Sequence, residues 1–379
     1  MKMKLALATM MSIATYSAFA APKFYGEIDA SIDYLPEKNA NSADHDVWKV
    51  NSNSSFVGIK GEEKLTENLS AVYLAEWAFY ADGDKTDWSQ RNRFVGLKDD
   101  RFGTVKIGKH NTPLKDLSSP VDSFNNYISN KADITGIMTG ENRVNNAVVY
   151  DSPEIALNGG NLEASVLLAT GESRGIEDDK RGGVNTAGRG LGDAWSASLS
   201  YSHPVFLVGV GYDKAIPSDF LGHGLLNAAE TETQVDEVFA AANTVRVIGR
   251  LTPIEGLAIK ALYQTSKIVD KPGNKVVDPT TLDPEGFIRN IDDSQGWLIG
   301  AEYKLPNQSK WTVKAQYSQN STSFKSNDAD FDANQLLLGT DYSFNKQVKV
   351  YGYAGYSTFE QASAKDKQPI AGTGLEFKF

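Results

Sequence analysis

Phe24, Gly26, Ile28, Ala30, Ile32 and Tyr34 form one row of an alternation whose other row is Tyr25, Glu27, Asp29, Ser31 and Asp33. A strict period of two over about eleven residues predicts a β-strand as long as a tilted membrane strand. The first row is small and apolar, and the acidic second row suits neither lipid nor a dry core. The pattern recurs. Leu69, Ala71, Tyr73, Ala75, Trp77 and Phe79 make one row, Trp297, Ile299, Ala301 and Tyr303 another, and Trp311, Val313, Ala315 and Tyr317 a third. Val245, Val247, Gly249 and Leu251 alternate with Arg246 and Arg250. With the weaker segments, sixteen strands are predicted: 24–34, 52–62, 68–80, 89–98, 103–109, 143–151, 161–170, 194–203, 205–213, 243–251, 257–267, 295–304, 310–319, 334–343, 348–358 and 370–379.

The gaps alternate in length. Short ones such as Glu63–Glu67, Asp99–Phe102 and Phe344–Gln347 are followed by long ones at 35–51, 81–88, 110–142, 171–193, 214–242, 268–294, 320–333 and 359–369. Tight turns on one rim, long loops on the other and an even strand count predict an all-β fold, a transmembrane 16-stranded antiparallel β-barrel. Aromatic residues at strand ends, including Tyr34, Trp77, Tyr201 and Tyr303, fit two interfacial girdles. The gap at 110–142 is the exception, about thirty residues with neither strand nor helix periodicity. Loops that long are uncommon. This one is expected to fold into the lumen and narrow it.

Composition adds the compartment. Lys2 and Lys4, the apolar run Leu5–Ala14 and the small-x-small site Ala18-Phe19-Ala20 predict a signal peptide over 1–20 and a barrel over 21–379. No later apolar run reaches the roughly 18–20 residues of a helical span. The chain has no cysteine, which excludes a disulfide scaffold and thiolate chemistry. The formal charge of −10 becomes −12 without Lys2 and Lys4, and an acidic chain does not suggest a nucleic-acid partner.

Enzyme chemistry finds little support. The four histidines, His45, His110, His203 and His223, show no ligand spacing, and no G-x-S-x-G occurs. Asp82–Asp87 (DGDKTD) begins like a calcium loop but lacks the glycine and glutamate that complete one, so no metal site and no cofactor are expected. An acidic surface loop bridged by divalent ions to lipopolysaccharide phosphates is the better reading. Tyr351 and Tyr353 alternate with Val350 and Gly352 and fit a lumen-facing row, but two residues do not make an aromatic track, and structural packing is the better reading.

Ser54–Leu65 (SSFVGIKGEEKL), Arg91–Pro113 (RNRFVGLKDDRFGTVKIGKHNTP) and Asn142–Pro153 (NRVNNAVVYDSP) resemble, in order and spacing, the strand motifs of Gram-negative general porins. The last residues, Gly374–Phe379, resemble the terminal strand of outer-membrane proteins. The resemblance implies a homotrimer in the cell outer membrane, among lipid and lipopolysaccharide, that passes ions and small hydrophilic solutes passively. A substrate-specific channel, sugar or anion selective, on the same barrel is the alternative. The resemblance also implies that the third long loop presents acids to a basic wall, a charge arrangement by which pores select. The acids offered are Asp116, Asp122, Asp133 and Glu141; the bases are Arg91, Arg93, Arg143, Lys60 and Lys109, with Arg91 and Arg93 on one face by the period of two. Family members often carry bases where this chain has Glu27 and Phe56, and the enteric loop-tip motif is missing, so a weak cation preference is expected.

Overall fold

A computed structural model describes residues 21–379 apart from 35–36, 40–41, 46–47, 85–87, 171–189, 221–237, 270–290, 308–309, 326–328 and 363. The expected leader, Lys85–Asp87 of the acidic stretch and His223 lie outside the described residues.

Among the described residues, sixteen strands form the wall, counting two interrupted strands once each. They are β1 (Lys23–Tyr34), β2 (Trp48–Ser52 and Phe56–Lys64), β3 (Leu69–Ala78), β4 (Ser89–Asp99), β5 (Gly103–Asn111), β6 (Arg143–Asp151, resuming at Ile155–Leu157), β7 (Gly160–Ala169) and β8 (Trp195–His203). The second half is β9 (Phe206–Phe220), β10 (Val238–Ile254), β11 (Leu257–Ile268), β12 (Ile291–Lys304), β13 (Trp311–Phe324), β14 (Phe331–Ser343), β15 (Val348–Gln361) and β16 (Ala364–Lys378). Every strand pairs antiparallel with its sequence neighbour, and β1 pairs with β16 from Glu27 opposite Lys378 to Tyr34 opposite Ala371. The sheet is therefore closed and has no free edge, which a wall in lipid requires. Phe379 completes the seam, since it and Gly26 exchange two backbone hydrogen bonds of 3.1 Å. A Cβ on Gly26 would lie 2.6 Å from the Phe379 ring, so the closure needs glycine there.

The two faces are those of a membrane barrel, apolar outside and polar inside. Leu336 and Leu338 point outward with Val313, Ile299 and Leu375, all exposed. Leu338 is 57% exposed while its neighbour Leu337 is 0%. Lys106, Arg246, Lys260, Gln264, Lys314 and Gln316 are buried on the opposite face.

The structure departs from the expected strand ends on one rim. β9, β10, β13, β15 and β16 run several residues further into the long gaps than the alternation showed. Gln319–Ser323 explains why: both rows are polar there, yet Ser321 and Thr322 still pair with Gln295 and Ser294. Backbone pairing continues beyond the apolar belt, but the hydrophobic alternation that announces it stops. The first long gap also holds a short ribbon in which Glu37–Asn39 pairs with Ser42–His45.

A loop docked on the barrel wall

Residues 112–142 connect β5 to β6 and contain three single turns, α1 (Pro113–Asp116), α2 (Tyr127–Asn130) and α3 (Ile134–Ile137). Each is one turn long, too short to display a helical period. Thr112 caps α1, its hydroxyl accepting the Lys115 N–H at 3.1 Å, and Pro113 supplies a fixed φ at the first position. Asp133 caps α3 through Gly136 N–H at 3.1 Å. Between them, Asn126, Ile128, Ser129 and Asn130 all hold positive φ, from 51° to 73°.

The loop touches inward-facing residues of strands from β2 to β15. Near its start, Leu114 N–H donates to Ser196 of β8 at 3.2 Å. Ser123 N–H donates to Gln316 of β13 at 2.8 Å, and Gln335 of β14 donates to the Lys131 carbonyl at 2.9 Å. Ser129 N–H reaches Asn53, within the break of β2, at 2.9 Å. Near its end, the Thr139 carbonyl accepts from Arg246 of β10 at 2.9 Å and Gln264 of β11 at 3.1 Å. Apolar contacts accompany these: Leu117, Val121, Ile134, Ile137 and Met138 pack with Ile248, Leu262 and Leu298. Tyr127 stacks on Tyr351 of β15, ring centroids 4.3 Å apart, and its hydroxyl accepts from Lys314 at 2.7 Å. Tyr351 and Tyr353 are thus buried beneath the loop, bonded to Asp29 and Asp33, and offer no track.

On the other side of the loop lies a cavity of about 560 Å³. Arg91, Lys109 and Arg143 line it from the wall; Asp116, Asp122 and Glu141 line it from the loop, with Lys115 among them. Arg91 lies over the Phe56 ring, 4.6 Å from its centroid, with Nε 3.7 Å from Glu76. Arg143 donates through Nε to Asn92 at 2.7 Å and Asn111 at 2.9 Å, and Asn111 donates in turn to Asp116 at 2.7 Å. The Asp122 carboxylate accepts the backbone N–H groups of Phe124 at 3.0 Å and Ile134 at 3.1 Å and the Gln316 amide at 3.2 Å. Burial raises the Asp122 carboxyl above its usual range, opposed by those hydrogen bonds. Burial acts on Glu141 in the same sense, but Lys115 and Arg246 outweigh it and hold that carboxyl low.

Comparison with known proteins places this architecture. The profile describing Gram-negative porins matches residues 6–362. The chain belongs to the Gram-negative porin family. The major outer membrane protein P.IB of Neisseria gonorrhoeae is 32% identical over 334 residues, covering 83% of this chain and 92% of that protein. The anion-selective porin from Comamonas acidovorans shares the fold at 17% identity with a TM-score of 0.66, covering 95% of this chain and 99% of that one. In-vitro folded OmpT of Vibrio cholerae in its trimer form does so at 18% and 0.63, covering 95% and 99%. This porin is therefore an outer-membrane channel protein of a Gram-negative bacterium, and its family and fold are those of a passive channel rather than an enzyme.

Three residues expected at the porin's passage do not line the cavity. Arg91 and Arg93 fall on opposite faces, because β4 carries a bulge: Ala75 lies opposite Arg93 and Trp77 opposite Gln90, so Glu76 alone faces Arg91 and Asn92. Arg93 keeps the parity of exposed Val95 and Leu97 and lies over the Trp77 ring at 4.7 Å, on the apolar row. Lys60 lies over the Tyr25 ring at 4.4 Å, away from the cavity. Asp133 is fully buried within the loop, accepting from Gly136 and from Asn126 N–H at 2.9 Å. In the sequence Arg246 stands only as one polar position of β10, between Val245 and Val247.

Burial, then the charge of Asp122, pushes the Asp133 carboxyl up to about 7. Its folded value lies above the usual 3.8, so docking takes up a proton. The docked loop is firmest at low pH and loses stability as pH rises from about 3.8 to about 7. Hydrogen exchange of residues 122–136, corrected for intrinsic rates, is expected to be faster at pH 8 than at pH 6. Asp133→Asn should flatten that dependence; an unchanged slope would assign it to another group.

Proposed function

We propose that residues 112–142 cross the interior of the barrel and set its narrowest part, and that ions and small hydrophilic solutes diffuse between this loop and the wall of β2 to β6. The observation that carries the reading is the shared cavity, lined by Asp116 and Asp122 of the loop and by Arg91 and Arg143 of the wall. Such opposed charges across a water-filled constriction orient dipolar solutes and weight ions by sign. The trimeric OmpT of Vibrio cholerae supports, for this chain too, a homotrimer embedded in outer-membrane lipid and lipopolysaccharide. General diffusion fits better than a sugar-specific path, because the candidate tyrosines are covered by Tyr127.

Liposomes containing the protein should swell at rates that fall with sugar size alone. Saturation by one sugar would overturn general diffusion in favour of a specific channel. Closure of single conductances in three equal steps is the expected sign of the trimer.

A further inference from the structure

We propose that Arg246 is a positioning residue that governs the channel's charge selectivity by pinning the Glu141 carboxylate, nearly covered, at the lining of the passage. The proposal rests on the reading of the cavity as the conducting path. Arg246 is 0% exposed. Its Nη1 donates to the Glu141 carboxylate and to the Leu114 carbonyl at 3.2 Å; its Nη2 donates to the Thr139 carbonyl at 2.9 Å. Leu114 opens the loop and Thr139 and Glu141 close it, so one guanidinium ties both ends together. Gln264 fixes the fork from behind, accepting from Nε at 3.0 Å and Nη2 at 2.6 Å.

The geometry at Glu141 gives this tie an electrical consequence. One carboxylate oxygen faces Arg246, and the other accepts from Lys115 at 3.1 Å and from the Ser118 hydroxyl at 3.1 Å. The Glu141 side chain is 6% exposed and Lys115 is 22% exposed. What this end of the loop offers the passage is therefore the ammonium of Lys115, with the carboxylate drawn back beneath it. Gly140 holds a φ of 84°, which lets Thr139 and Glu141 both meet Arg246. A Cβ there would approach Leu114 Cδ2 to 2.6 Å. A planar fork with several donors makes these contacts at once; an ammonium cannot. Without the fork, only the oxygen facing Lys115 and Ser118 is held, and the carboxylate swings toward the water.

The test is the reversal potential of the purified channel in planar bilayers under a potassium chloride gradient. Arg246→Gln, which keeps donors for the loop carbonyls, should raise the potassium-to-chloride permeability ratio roughly three-fold, as expected for one unit charge near a hydrated path. Adding Glu141→Gln should return the ratio to the wild-type value, which a loop merely loosened by losing Arg246 would not do. Arg246→Lys should shift the ratio in the same direction by less, and it carries the test if Arg246→Gln fails to assemble. An unchanged ratio in the Arg246 variants, or no return on adding Glu141→Gln, overturns the proposal. The Arg91→Ala/Arg143→Ala channel separates the two readings: if its ratio shifts while those of the Arg246 variants do not, the passage stands and the role of Arg246 falls. If none shifts, the passage itself is misplaced.

Discussion

Replacing Tyr127 with alanine is expected to turn a steady open channel into one that switches between two current levels. The loop tip is held against its own backbone preference. Ile128 and Ser129 sit at φ 51° and 52°, and Ile128 is β-branched. Left-handed geometry costs about 1–2 kcal/mol for each such residue, so the turn stores about 2–4 kcal/mol. Tyr127 opposes that strain: it is 2% exposed, stacked on Tyr351, tilted against Tyr353 at 4.9 Å and bonded to Lys314 and Asp341. Truncating a buried aromatic side chain costs about 3–5 kcal/mol, comparable to the strain it offsets. Docked and undocked tips then have similar populations, and single-channel records should show both levels with comparable dwell times. Tyr127→Phe keeps the stacking and loses the hydroxyl contacts to Lys314 and Asp341, which still pair with each other, at a cost of about 1.5–3 kcal/mol, and should spend most of its time in the docked level. A steady wild-type current from the alanine channel would mean the tip is anchored elsewhere, at Ser129 and Asn130.

How much of this was legible depends on what each part owes to period. The wall was legible because every strand must turn an apolar row to lipid, and a period of two survives in the sequence wherever it does. Strand ends above the belt were not, since stretches such as Gln319–Ser323 are polar on both rows while remaining paired. The loop was legible as a position, through its length and its flanking motifs, but its shape was not. Three single turns and a run of positive φ leave no periodic trace. Among the site residues, Arg91 and Arg143 carried motif signals and line the cavity. Arg93 was misread because a bulge breaks the parity on which the reading depended. Arg246 left one usable sign, a base with Arg250 on the row that alternates with Val245, Val247 and Leu251. Nothing local told which distant carbonyls it would bind. Glu27 and Phe56, the two residues behind the expected cation preference, both take other roles. Glu27 lies 3.5 Å from Lys378, outside the cavity, and Phe56 supports Arg91.

Arg91→Ala combined with Arg143→Ala is expected to shift selectivity toward cations further than any other pair of substitutions in the wall. Both guanidiniums line the cavity, and of the two Arg91 alone has a carboxylate within ion-pair distance. Arg91 is 3.7 Å from Glu76, but that carboxylate also accepts from Tyr25 at 2.8 Å. Arg143 reaches Asp116 only through Asn111. A unit charge a few ångströms from a passing ion contributes from about 1 kcal/mol in water to about 4 kcal/mol at an intermediate dielectric, and salt screens it over about 10 Å. Taking the lower figure for each arginine, the pair is worth about 2 kcal/mol, and with screening the potassium-to-chloride ratio should rise on the order of ten-fold. The fold should survive, because the shortest hydrogen bonds the arginines make are to Asn92 and Asn111, which also bond each other: Asn111 N–H donates to Asn92 at 3.1 Å. Heat-resistant migration on gels would confirm assembly. An assembled double variant with an unshifted reversal potential would place the selecting charges away from β4 and β6.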